Sequence, residues 1–161
     1  MAEDTPAVQH IKQLRLEWAD HKISDIKAAP RREQGDLRKL NYMIWDCLIY
    51  GKPNTIWHKG QFPLTMCFKE EFPNKPPECK FPGQFFHPNV YPDGLVSMDI
   101  LDEDRSWNPN ITITQILVGI QNLLDDPDEK DPTNQEAYYL FSENQDEYVT
   151  RVRTQTAAYK T

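Results

Sequence analysis

Residues 87–124 read HPNVYPDGLVSMDILDEDRSWNPNITITQILVGIQNLL, and the two ends of this stretch have opposite characters. From Thr112 onward, Ile113, Ile116, Leu117, Ile120, Leu123 and Leu124 recur at helical spacing. With Thr112 in capping position and Pro127 beyond the stop, this predicts an amphipathic helix with a nearly apolar buried side. The opening end, with three of its first eight residues proline or glycine, supports no regular element. It prolongs a segment in which six of the chain's 13 prolines fall within residues 73–92, leaving room for one short strand near residues 78–81. A long, aromatic-bearing loop of this kind inside a domain is more often functional than filler.

Outward from that stretch, Thr5 and Pro6 form a cap and first-turn pair. Val8, Ile11, Leu14 and Trp18 then predict a helix over residues 6–20. The segments NYMIWDCLIY (41–50) and QFPLTMCF (61–68) are rich in β-branched and aromatic residues. In the second, Phe62, Leu64, Met66 and Phe68 alternate, and GKPNTIWHKG between the two fits a turn, so antiparallel strands are expected. Two shorter helices should close the chain, over about 134–141 and 143–159, the last opening with Ser142 and Gln145 in capping-box spacing. Helix, antiparallel strands, long loop, helices is an α+β order, and 161 residues correspond to a single domain, residues 1–161.

Hydrophobic residues make up 39% and charged residues 27% of the chain, which is ordinary globular usage, and no apolar run reaches membrane-span length. The net charge of −7 argues against nucleic acid or an anionic membrane as partner. The acids are concentrated: residues 99–147 carry 13 acids against Arg105 and Lys130, while the rest of the chain is mildly basic. Cys47, Cys67 and Cys79 are odd in number, and their spacing suits neither a disulfide framework nor a zinc site. The histidines other than His87 (His10, His21 and His58) are scattered without ligand spacing, so no metal is expected. The start, MAEDTPAVQH, carries no secretory or transit pattern. A reducing compartment, nucleus and cytoplasm, is the expectation.

The loop motif HPNVYPDGLV, continuing into SMDILDEDRSWNPNITITQILVGIQNLL, resembles the ubiquitin-like-protein conjugating enzymes. The match rests on His-Pro-Asn, a nucleophile position ten residues after the histidine, and a tryptophan and proline ahead of an apolar helix. It extends over nearly the whole chain. Within that family the SUMO-conjugating members are the nearest in pattern. The features are Tyr91 two places after Asn89, the acidic insert Asp102-Glu103-Asp104 before Trp107, Asp131-Pro132 before the acceptor helix, and Glu136-Ala137-Tyr138. Ubiquitin-conjugating relatives usually have a shorter segment before that tryptophan. The resemblance implies the ubiquitin-conjugating fold: an N-terminal helix, a four-stranded antiparallel meander, the active-site loop, a central helix and two C-terminal helices. It also implies acyl transfer from a thioester to a lysine amine. The partners would be SUMO, the SUMO-activating enzyme, SUMO ligases and lysine-bearing substrates. No cofactor is required, because ATP is used by the upstream activating enzyme.

The resemblance also assigns roles. Asn89 would bind the oxyanion or hold the loop that does, Tyr91 would pack on the lysine stem, and Asp131 would orient the amine. Pro132, Thr133, Asn134 and Tyr138 would form the acceptor groove, and Arg15 and His21 the contact with activating enzyme or a second SUMO. Each of the three catalytic positions has a plainer reading: Asn89 as a tie for the loop backbone, Tyr91 as a core aromatic, Asp131 as a helix cap. His87 is read as structural.

Three departures stand out. Ser97 occupies the position of the family's thioester cysteine, and the three cysteines fall on expected strands and cannot replace it. A serine hydroxyl without an activating base is a far weaker nucleophile, and its ester is less reactive toward amines than a thioester. Either an active enzyme carries a cysteine-to-serine change, which the retained loop favours, or the chain is a natural inactive binding module. A conjugating enzyme for ubiquitin or another modifier is the further alternative. Second, Ala19 stands where a basic residue is expected, and His21 aligns only across a one-residue deletion, which predicts weaker second-site binding. The nearby Lys27, Arg31, Arg32, Arg38 and Lys39 read as a solvated hairpin. Third, Glu78 and Lys80 stand where the family tends to have two basic residues.

Overall fold

A computed structural model describes residues 4–21 and 23–160. The elements are α1 (Pro6–His21), β1 (Ile26–Glu33), β2 (Asp36–Tyr50), β3 (Gln61–Cys67), β4 (Glu78–Lys80), a 3-10 turn at Asp99–Leu101, α2 (Ile113–Asp125), α3 (Gln135–Glu143) and α4 (Gln145–Ala158). The strands form one antiparallel sheet in the order β1-β2-β3-β4, which is the expected meander. The α+β class and the order of N-terminal helix, four-stranded meander, loop, central helix and two closing helices are therefore those anticipated from the sequence.

The sheet presents one apolar face. Trp45, Cys47 and Ile49 on β2 and Phe62, Leu64 and Met66 on β3 are buried, in the alternation a pleated strand imposes. The pairing Cys47↔Leu64 and Met66↔Cys79 keeps these side chains in register. β2 begins five residues before the apolar segment that announced it. Its extra length pairs with the polar half of β1, where the register shifts between Pro30 and Arg31. Lys27, Arg31, Arg32, Arg38 and Lys39 are all exposed on this hairpin, as expected of solvated residues.

The helices start where side-chain oxygens can satisfy their free backbone N–H groups. Thr5 Oγ1 accepts from Val8 N at 3.2 Å, and Thr112 and Gln115 form a reciprocal capping box at the start of α2. The apolar face of α2 is buried as predicted at Ile113, Ile116, Leu117, Ile120 and Leu124, while Leu123 is only partly covered. The last helix corrects the sequence reading. α3 runs on through Glu143, so Ser142 lies inside its final turn, and Asn144 closes α3 and caps α4, accepting from Glu147 N at 3.2 Å. A single asparagine between two helices serves both ends, which the serine-based pattern did not reveal.

The proline-rich segment is held by rings. Phe81 stacks on Phe85 at 4.2 Å, Phe85 stacks on Trp57 at 6.0 Å, and Phe62 meets Phe85 edge-on at 5.5 Å. Residues 81–96 fold back on β4 through Phe81 N to Gly94 O and Val96 N to Cys79 O. Gly94 is required at this crossing: its φ is +99°, and a Cβ there would stand 2.0 Å from the Phe81 carbonyl oxygen. No described helix is long and apolar enough to cross a membrane.

Candidate active site

The loop that opens the decisive stretch is pinned from beneath. His87 is fully buried; its Nε2 lies 2.7 Å from the Leu123 carbonyl oxygen, and its Nδ1 accepts from Asn89 N at 3.0 Å. A carbonyl can only accept and a backbone N–H can only donate, so the proton sits on Nε2 and the ring is neutral. Burial drives its pKa down to about 4, partly opposed by the carbonyl hydrogen bonds. Both ring nitrogens are engaged in holding the loop, and neither can serve as a general base.

Asn89, 1% exposed, is the hub of the site. Its Nδ2 donates to Asp128 O at 2.8 Å and to Asp131 O at 3.3 Å, and its Oδ1 accepts from Asp128 N at 2.8 Å. Its carbonyl accepts from Ser97 N at 2.8 Å. One residue thus fixes the backbone at position 97 and the segment that carries Asp131. Next to it, the Pro88 carbonyl accepts from both Thr133 N and Asn134 N, at 2.9 and 3.1 Å. In this conformation the Asn89 side chain is used by the loop backbone, the plainer of its two sequence readings.

Ser97 is half-buried at the edge of an open cleft of about 260 Å³. Pro76, Pro77 and Glu78, Tyr91, residues 95–98 and residues 101–104 line it. Tyr91 is 43% exposed, so it is not a core aromatic. The cleft holds one base, Lys69, against Glu78, Asp102, Glu103 and Asp104. Lys69 lies 3.9 Å from Glu78, and Lys80 is 3.8 Å from Asp93. No described side chain hydrogen-bonds the Ser97 hydroxyl, so nothing there raises its nucleophilicity.

Two of the three cysteines are excluded as alternative nucleophiles, while Cys67 is not buried as a strand thiol was expected to be. Cys47 and Cys79 are buried on β2 and β4; burial pushes the Cys47 thiol up to about 12 and Cys79 well above its ordinary value. Such thiols carry essentially no thiolate near neutrality. Cys67 is half-buried at the end of β3. Among the described residues no group of three His, Cys, Asp or Glu side chains could hold a metal ion.

The remaining predicted residues are only partly assembled. Asp131 does not line the Ser97 cleft; its carboxylate is taken by Arg105 Nη2 at 3.0 Å. It caps no helix, because Asn134 caps α3 by accepting from Ala137 N at 3.1 Å. Thr133 and Asn134 line a neighbouring groove with Gln84, Phe86, Pro92 and Arg151, Pro132 is exposed, and Tyr138 is half-buried on α3. Arg15 sits on α1, donating to Tyr42 Oη at 3.2 Å, and His21 pairs with Glu17 at 2.6 Å. Arg105 is the site residue that the sequence reading passed over. Its signal was present, since it is the sole base in residues 99–129.

Residues 9–156 match the family model described as "Ubiquitin-conjugating enzyme". The chain is 49% identical over 145 residues to the SUMO-conjugating enzyme SCE1 of Arabidopsis thaliana, covering 90% of this chain and 89% of that protein. It is 48% identical over 120 residues to the Sumo-conjugating enzyme ubc9 of Dictyostelium discoideum, covering 74% and 76%. Against the SUMO-conjugating enzyme UBC9 of Caenorhabditis elegans it is 40% identical over 154 residues, covering 95% and 91%. With residues 9–156 matched by that family model and relatives 40–49% identical over most of its length, the chain belongs to the ubiquitin-conjugating enzyme family, with SUMO-conjugating enzymes among its relatives.

Proposed function

We propose that this chain is a SUMO-conjugating transferase carried in a form whose nucleophile position is Ser97. It receives SUMO from the activating enzyme, docks ligases and lysine-bearing substrates, and acts as a monomeric single domain in nucleus and cytoplasm, with no cofactor of its own. In the full reaction a neutral lysine amine attacks the carbonyl carbon of the SUMO C-terminus; the C–N bond forms, the bond to residue 97 breaks, and the amine proton leaves to solvent. An ordinary lysine has a pKa of about 10.4, so it enters as the ammonium and must lose its proton within the cleft before it attacks. Contact with Tyr91, Pro76 and Pro77 favours that loss, while the carboxylates of the cleft favour the ammonium that first enters.

The observation that carries the proposal is the seat of Ser97: at the edge of an open cleft, on a loop locked by His87 and Asn89, in a chain whose relatives are SUMO-conjugating enzymes. In this reading Asp131 orients the amine, and Pro132, Thr133, Asn134 and Tyr138 receive the residues around it. Arg15 and His21 serve the activating enzyme or a second SUMO. With oxygen at position 97, normal turnover is small or absent.

Ser97→Cys, incubated with ATP and either SUMO or ubiquitin and the matching activating enzyme, tests the modifier. A reducible adduct with SUMO alone is expected. An adduct with ubiquitin alone would move the chain to another modifier, and none with either would leave an inactive binding module.

A further inference from the structure

Arg105 shares one guanidinium among three carboxylates. Nη1 is 2.8 Å from Asp99, Nε 3.6 Å from Asp102 and Nη2 3.0 Å from Asp131. Asp99 and Asp102 belong to its own turn, but Asp131 lies beyond α2, on the segment clamped by Asn89. The arginine therefore ties the wall of the Ser97 cleft to the carboxylate assigned to the incoming amine. Asp102 lines that cleft and Asp131 does not, so with no substrate bound the Asp131 charge is directed to Arg105.

We propose that Arg105 is a positioning residue that holds Asp131 outside the Ser97 cleft and yields it when a lysine side chain enters. The proposal rests on the reading of that cleft as a lysine-accepting site. Guanidinium and ammonium are both cationic hydrogen-bond donors, and they compete for the same carboxylate oxygens. The pair is well exposed, with 44% and 41% of the two side chains accessible. An exposed ion pair is worth little, so an ammonium can replace it. It is nevertheless strong enough to change acceptor affinity by about two- to fivefold. A staple that merely ordered the loop would act in the opposite direction, because removing it would loosen the wall and weaken binding.

The test uses the full chain with Ser97 in place and a fluorescent peptide bearing one lysine between neutral residues. The same peptide with acetyl-lysine is the control, and both are titrated at low ionic strength. Arg105→Gln should tighten the lysine peptide by about two- to fivefold, and Arg105→Lys, which keeps the charge, should return affinity toward that of the parent. The gain should vanish in an Asp131→Asn background, whereas any gain from Lys69→Gln, which removes a charge from the same cleft, should survive there. An Arg105→Gln variant that binds equally or more weakly overturns the proposal, as does a gain of the same size with and without Asp131. If lysine and acetyl-lysine peptides bind alike in every variant, the lysine-accepting reading itself falls, and the proposal with it.

Discussion

His87 is read from the sequence as structural, and the fold supplies the physical reason. Burial and two backbone partners keep its ring neutral and leave neither nitrogen free. Its pKa of about 4 in the fold, against about 6.5 in an unfolded chain, has a defined thermodynamic sign. Above about pH 6.5 both states are neutral and the group leaves stability unaffected. Below that the unfolded chain takes up a proton first, so stability falls until about pH 4 and by no more than about 3 kcal/mol. The ring resonances of His87 should not move between neutral pH and pH 5 by NMR; a midpoint near 6 would contradict the account. Asn89 was only half legible. The sequence reading left open whether it meets the oxyanion or ties the loop, and the three hydrogen bonds to Asp128 and Asp131 show the tie. Those partners are about 40 residues away in sequence, so no local pattern could have indicated them.

At the scale of elements, periodicity was informative wherever one face is apolar. α2, with its threonine cap, and the alternating β3 were readable for that reason. In the outer half of the β1–β2 hairpin no residue from Arg31 to Leu40 is buried, so no one-sided alternation marks the start of β2. The cap of α4 was misplaced because Ser142 and Asn144 both offer a suitable oxygen, and only the packing that extends α3 decides between them. The segment between α2 and α3 has no regular structure; Asn89 holds Asp128 and Asp131 to the loop at 87–97, and the Pro88 carbonyl holds Thr133 and Asn134. Asn89→Ala should cost about 1–3 kcal/mol, the range for a buried polar group left without its partner. It should also release the Asp128 amide to rapid hydrogen exchange. Unchanged protection at Asp128 would show that the segment is held by something else.

Over the whole molecule, the net charge of −7 acquires a location. Asp102, Glu103, Asp104 and Glu78 line the Ser97 cleft, while the exposed bases of the β1–β2 hairpin lie on another part of the surface. An acidic cleft would attract a lysine before its amine is desolvated, as the proposed transfer to lysine requires. The same fold excludes Cys47 and Cys79 as substitute nucleophiles, because both are buried and their thiols stay protonated. The central claim is therefore that one atom at position 97 separates this chain from turnover. Its most direct test is to load the Ser97 chain and Ser97→Cys with SUMO, using activating enzyme and ATP, and then follow discharge to free lysine. Ser97→Cys should form a reductant-sensitive adduct that discharges to lysine, and the Ser97 chain at most a reductant-resistant ester that persists. Comparable discharge from both, or no adduct on Ser97→Cys, would contradict it.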